Sequence, residues 1–289
     1  MICYSIIFLY LWHMKFEKST TIYLFNIVFY CFLLVFPSLG LHAQSDAITT
    51  EQGVYRGKIS KGEPHGHGVM SYNNGDKYEG ELKGEIREGQ GTYTFSNGNK
   101  YEGHWKNDTY DGQGVFTWND GSKYDGQWKN GKKEGKGTYS LNNGTKYEGN
   151  WKNDIQDGKG IFSWNNGNKY DGEFSKNQFH GKGNFYWNNG TRFEGKWDHG
   201  KKTGNGKLHF NNGNEYEGDF KNDKFDGKGV HRYNNGERYE GQWSNGECNG
   251  NGVYYFNNGD KTEGKFTKHS ASGVHNRNLA NGQQQRITY

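Results

Sequence analysis

The feature that most constrains this chain is a repeat of 23 residues that runs without insertion through most of its length. A Tyr-acid-Gly triplet opens most copies, at Tyr78, Tyr101, Tyr124, Tyr147, Tyr170, Tyr216 and Tyr239. Tyr55 opens the first copy, Phe193 replaces the tyrosine in one, and Thr262 does so in a tenth, divergent copy. A fixed period of this length marks a repeat architecture, in which each copy is one supersecondary unit and buries its apolar face against its neighbours.

The unit from Tyr147 to Lys169 reads YEGNWKNDIQDGKGIFSWNNGNK. Counted from its tyrosine, glycine recurs at positions 3, 12, 14 and 21, and these columns hold 39 of the 46 glycines. Position 21 closes an Asn-Gly or Asp-Gly pair such as Asn166-Gly167. Between alternating runs such a pair predicts a hairpin with a type I′ turn, which needs positive φ at both central residues. Glycines at positions 12 and 14 suit a turn and a bulge where the second strand begins. Period-2 alternation puts Tyr147, Gly149 and Trp151 on one face with Gly160, Phe162 and Trp164. Glu148, Asn150, Lys152, Ile161 and Ser163 fall on the other. Each unit therefore reads as a hairpin with one aromatic and one mostly polar face.

Tyr-Glu-Gly-x-Trp-Lys-Asn followed by Gly-x-Gly resembles the MORN repeat (membrane occupation and recognition nexus), over roughly Tyr55 to Gly264. The resemblance implies an all-β fold: an elongated, twisted, single antiparallel sheet of stacked β-hairpins. About 20 strands at ~4.8 Å spacing would make a rod on the order of 90–100 Å long. The glycines beside the aromatics leave space for rings to pack over the backbone. The first copy, with Ile59 and Met70 at ring positions, and the last, with Thr262 for Tyr and His275 for Gly, read as caps.

Residues 1–43 differ in kind. Ile22 to Phe36 is an apolar run broken only by Asn26, preceded by Lys15, Glu17 and Lys18 and followed by Ala43. Read from Met14, this is a signal peptide with cleavage after Ala43, residues 1–13 being an extension ahead of the true start. The alternative is an uncleaved anchor, since Thr20 to Leu41 is long enough to span a bilayer. Residues 44–54 read as a linker, 55–264 as the array, and 265–289 as a degraded last repeat and polar tail. That division leaves no room for a second domain. Export places the chain in the periplasm, on the outer-membrane surface or outside the cell.

Without residues 1–43 the chain holds 34 Lys and Arg against 31 Asp and Glu, a net charge of +3, and only Cys248 of its three cysteines. An exported chain thus has no internal disulfide. Near-balanced charge gives no nucleic-acid footprint, which needs a clustered basic face. The Asn- and Asp-rich turns lack calcium-loop spacing. His65 and His67 lack an evident third ligand for zinc. The Gly-x-Gly segments precede no helix and are not phosphate loops. No cofactor is implied, and no nucleophile–base arrangement stands out.

Two sets of residues remain as binding candidates. The first is the aromatic face: Tyr101, Trp105, Trp118, Tyr124, Trp128, Tyr147, Trp151, Trp164, Tyr170, Trp187, Trp197 and Trp243. These rings serve either as the sheet's only core or as a stacking groove for a peptide, glycan or lipid tail. The second is the lysine column at position 6, Lys106, Lys129, Lys152 and Lys221, with a companion column at position 23 from Lys77 to Lys169. Such ladders meet anionic headgroups, or pair across strands with the acids at position 2, from Glu79 to Asp171.

The functional expectation is a non-catalytic scaffold of the cell envelope or exterior that binds a protein or glycan partner. The alternative, implied by the resemblance, is a peripheral module for anionic phospholipid. No nucleic-acid partner is expected. In many family members a catalytic domain accompanies the repeats; none is recognisable here, so no enzyme activity carries over.

Overall fold

The structure is a computed structural model and describes residues 47–289. The leader, the proposed start at Met14 and the cleavage site after Ala43 lie outside the described residues. The described chain forms one open antiparallel sheet of twenty-two strands, numbered in chain order from β1 (Ala47–Thr49) to β22 (Gln284–Thr288). Each strand pairs with the next in sequence, so the sheet is a continuous meander of hairpins. Among the described residues there is no helix.

Two kinds of turn alternate. β10 (Lys146–Lys152) passes to β11 (Ile155–Ser163) through Asn153 and Asp154, whose φ values are 50° and 68°. The two-residue turn with positive φ at both centres is therefore here, at positions 7 and 8, and not at the Asn-Gly pair where the sequence pattern puts it. Asn and Asp tolerate this conformation because their short polar side chains bond locally.

The Asn-Gly pair works differently. Between β11 and β12 (Lys169–Ser175), Gly167 N–H donates to the Trp164 carbonyl at 3.1 Å, and Trp164 N–H donates to the Asn168 carbonyl at 2.9 Å. Gly167 alone has positive φ, 87°. This matches the longer hairpin loop in which a left-handed glycine follows an ordinary turn. Asn166 is used for its side chain, which accepts the Asn168 N–H at 3.1 Å.

The second strand begins at position 9, ahead of the two glycines, and position 12 is a bulge within it. Gly149 faces Gly160 whereas Trp151 faces Gln156, and Gly158 in the offset has φ 100°. The bulge sets the position-10 side chain opposite the position-5 ring.

The core lies on the aromatic face. Tyr147 lies across its own hairpin's glycines, and a Cβ on Gly160 would come within 2.6 Å of the ring. Its hydroxyl donates to the Asn150 carbonyl at 2.9 Å, so the buried oxygen is satisfied. The same bond recurs at Tyr78, Tyr101, Tyr124, Tyr170, Tyr216 and Tyr239. Burial holds these phenols well above their ordinary pKa. Indole N–H groups tie neighbouring units together: Trp151 Nε1 donates to the Gly137 carbonyl of the preceding unit at 3.2 Å, as Trp105 does to Gly91.

Strand pairing reaches past both ends of the array. The stretch read as linker contains β1, whose Ile48 packs against the core. The stretch read as polar tail contains β21 (Ser270–Asn278) and β22, paired with each other. The last unit is compensated where the sequence reads it as degraded. A Cβ on Gly264 would meet the His275 ring at 2.5 Å, so that ring occupies the place of the missing tyrosine. His275 Nε2 lies 2.7 Å from the Lys265 carbonyl, reproducing the tyrosine's bond, and Nδ1 lies 3.4 Å from Thr262 Oγ1.

Candidate functional site

The structure divides the twelve candidate rings in two. Tyr101, Trp105, Tyr124, Trp128, Tyr147, Trp151, Tyr170, Trp197 and Trp243 are buried. They are the hydrophobic core, packed edge to face, as Tyr147 is on Trp151 with centroids 5.1 Å apart. Trp118, Trp164 and Trp187 are only partly buried and pack on that core from outside. All three stand at position 18, at the strand end where the longer turn begins.

Position 18 carries one such side chain per unit, and rings at position 16 link them. Phe95 contacts Phe116 at 5.9 Å, Phe116 contacts Trp118 at 4.7 Å and Trp118 contacts Tyr139 at 5.3 Å. Beyond Leu141 the series resumes with Phe162–Trp164 at 4.5 Å, Trp164–Phe185 at 5.4 Å and Phe185–Trp187 at 4.4 Å. The result is a ladder of rings running across the strands. The core tryptophans Trp105, Trp128, Trp151, Trp197 and Trp243 give their N–H to a glycine carbonyl. The ladder tryptophans sit at the solvent boundary.

Position 10, which sequence reading passed over, completes this face. Tyr110, Phe179 and Phe225 stack flat on the position-1 rings, with centroids 3.8, 3.9 and 3.6 Å apart. In other units the same place holds a cation. Arg87 lies 4.3 Å from the Trp105 ring, Lys133 4.9 Å from Trp151, and Lys202 5.7 Å from Trp187. Burial lowers the Lys133 pKa, against the raising effect of Asp154. The signal was present in sequence. Where position 10 is cationic, position 8 of the next unit is Asp108, Asp154 or Asp223; where it is aromatic, that residue is Gly131, Gly200 or Gly246. The aspartate accepts the position-10 backbone N–H, at 2.8 Å for Arg87, 2.9 Å for Lys133 and 3.0 Å for Lys202.

The lysine columns separate on the polar face. At position 23, Lys77, Lys100 and Lys146 pair with Glu79, Glu102 and Glu148 at 3.1, 2.8 and 2.9 Å. These pairs run along one strand, two residues apart, and not across strands. Lys100 and Lys146 hold their partners' carboxyls below the usual range. The position-6 lysines Lys106, Lys129, Lys152 and Lys221 are exposed, and among the described residues none has a carboxylate within ion-pair distance. Shallow hollows of about 660 and 730 Å³ lie over the glycine columns, lined by position-2 acids such as Glu148 and Glu240 and by Lys136, Lys159 and Lys228.

Histidines in unrelated columns also meet. His180 and His199 approach Asp198 with Nδ1–Oδ1 distances of 3.5 and 2.7 Å, beside a cavity of about 90 Å³. Among the described residues no group of three His, Cys, Asp or Glu side chains is placed to hold a metal ion.

The MORN repeat family model matches nine consecutive segments of 23 residues, from 55–77 to 239–261, which is more than half of the chain. The chain belongs to the MORN-repeat family. No match is found among curated proteins. Among solved structures, this MORN array is similar to the TCP10 domain of Danio rerio CPAP in complex with a peptide of Danio rerio STIL, at 12% identity and TM-score 0.38, covering 81% of this chain and 99% of that one. It is also similar to the SAS-4 TCP domain of Drosophila melanogaster in complex with a proline-rich motif of Ana2, at 14% identity and TM-score 0.28, covering 81% and 96%. At these values neither likeness bears on what the MORN array of this chain binds.

Proposed function

We propose that this MORN protein is a non-catalytic scaffold, exported to the cell envelope or the exterior, that binds a partner protein along its aromatic face. The observation that carries the reading is the ladder through Trp118, Trp164 and Trp187: large rings held in register by the core and left partly open to solvent. Rigid, partly exposed aromatics supply contact area at low entropic cost, and tryptophan is enriched among the residues that dominate interfaces. A glycan would stack on the same rings.

The second reading, a phospholipid-binding surface, rests on the unpaired lysines at position 6. Against it, the position-23 lysines are neutralised by their own acids, and a near-neutral face attracts anionic lipid weakly, at about 1 kcal/mol per free basic residue. Flotation with anionic liposomes separates the two readings. Residues 44–289 are expected to float weakly and to be released near ~0.15 M salt, where the screening length is about 8 Å. Salt-resistant flotation would make the lipid surface primary. Cross-linking in an envelope fraction should instead capture a protein through the aromatic face.

A further inference from the structure

The spacing and chemistry of the ladder identify a kind of partner more closely than the scaffold reading, on which this inference rests. Successive position-18 residues are two strands apart, or ~9.6 Å at ~4.8 Å per strand. A polyproline II helix turns once in three residues at ~3.1 Å each, or ~9.3 Å per turn. One face of such a helix therefore advances with the array, presenting one residue to each hairpin. Its backbone has no internal hydrogen bonds, so its carbonyls need outside donors. Trp164 and Trp187 bring indole N–H groups to the solvent boundary at this spacing, Trp118 stands at twice it with Leu141 between, and the apolar rings beside them suit proline.

Charge narrows the choice. Lys133 and Lys202 hold their ammonium groups over inner-face rings, Lys202 at 5.7 Å from the Trp187 ring itself. Lys133 has no carboxylate within ion-pair distance among the described residues, although Lys202 reaches Asp223 at 3.1 Å. An acidic residue in the partner would meet Lys133 without displacing an existing pair. We infer that the face formed by Trp118, Leu141, Trp164 and Trp187, with Lys133 and Lys202 beside it, docks an acidic proline-rich segment of a partner protein in the polyproline II conformation, one helical turn per hairpin.

Leucine stands at the ladder position in two units, as Leu141 and Leu279, so the fold accepts it there. Trp164→Leu and Trp187→Leu therefore remove the indole N–H and the ring while keeping the hairpin. The test is titration of the full-length chain with a synthetic peptide of repeated Pro-Pro-Glu, followed by tryptophan fluorescence and calorimetry. Repeated Ala-Ala-Glu, repeated Pro-Pro-Lys and a cello-oligosaccharide serve as comparisons. Saturable binding of Pro-Pro-Glu is expected. Each leucine variant should weaken it about tenfold, equivalent to ~1.4 kcal/mol, while still unfolding in one cooperative transition well above the titration temperature. Lys133→Gln should reduce the preference for Pro-Pro-Glu over Pro-Pro-Lys.

Three results would overturn the inference: no saturable binding of Pro-Pro-Glu, binding indifferent to the leucine variants, or tighter binding of the cello-oligosaccharide than of the peptide. If a cross-linked protein partner is lost from the leucine variants while Pro-Pro-Glu fails to bind, the scaffold reading stands and the polyproline assignment falls.

Discussion

His231 shows how a single column of the repeat carries a pH response. It stands at position 16, among Phe210, Phe225, Tyr233 and Trp243, with Nδ1 buried and lacking a hydrogen-bond partner among the described residues. Burial, with the nearby His269 adding to it, pushes its pKa down to about 4. The folded state therefore excludes a proton that the unfolded chain binds below its ordinary pKa of 6.5. Above that pH the histidine has no effect; stability falls as pH drops from 6.5 towards 4, by about 3 kcal/mol in all. In other units a donor at this position meets a carboxylate seventeen residues earlier, as Tyr93 meets Asp76 at 2.6 Å and Arg277 meets Asp260 at 3.0 Å. For His231 that residue is Asn214. His231→Phe, matching Phe116 and Phe162, should raise the melting temperature more at pH 5 than at pH 7.5. Asn214→Asp should give the imidazolium a partner and reverse the acid loss. Identical pH–stability profiles for wild type and both variants would refute this account.

At the scale of the hairpin, the sequence pattern carried the repeat boundaries, the strand count per unit and the division into aromatic and polar faces. It assigned the turns incorrectly because Asn-Gly signals a tight turn without saying which. Both turns use left-handed residues, and their number, the loop length and the hydrogen bonding separate Asn153-Asp154 from the longer loop at Gly167. Position 10 was illegible as a column because Arg87, Tyr110 and Gln156 share no chemistry; its pattern emerges only beside position 8 of the next unit. Periodicity likewise could not separate core rings from ladder rings, since Trp151 and Trp164 share a face and differ in depth. The tenth hairpin looked degraded column by column, yet Thr262 and His275 exchange bulk between two strands. Thr262→Tyr would drive a second ring into His275, and His275→Gly would leave the site empty, so each alone should destabilise. Together they restore the arrangement of the other units. A double-mutant cycle by denaturant unfolding should show favourable coupling on the order of 1–3 kcal/mol, whereas additive effects would mean that the two residues do not share one site.

Over the whole array, each unit closes its neighbour's core through indole bonds and ring contacts, and stability is a sum over adjacent units. The same contacts hold the ladder in place while leaving one edge of it open. The claim that one aromatic face is both core and binding surface, divided by position in the repeat, is tested most directly by oxidative footprinting of tryptophan with mass-spectrometric readout. Trp118, Trp164 and Trp187 should be oxidised readily in the folded chain, and Trp105, Trp128, Trp151, Trp197 and Trp243 should be protected until it unfolds. Uniform oxidation of all eight, or protection of the first three in the absence of a partner, would contradict the division.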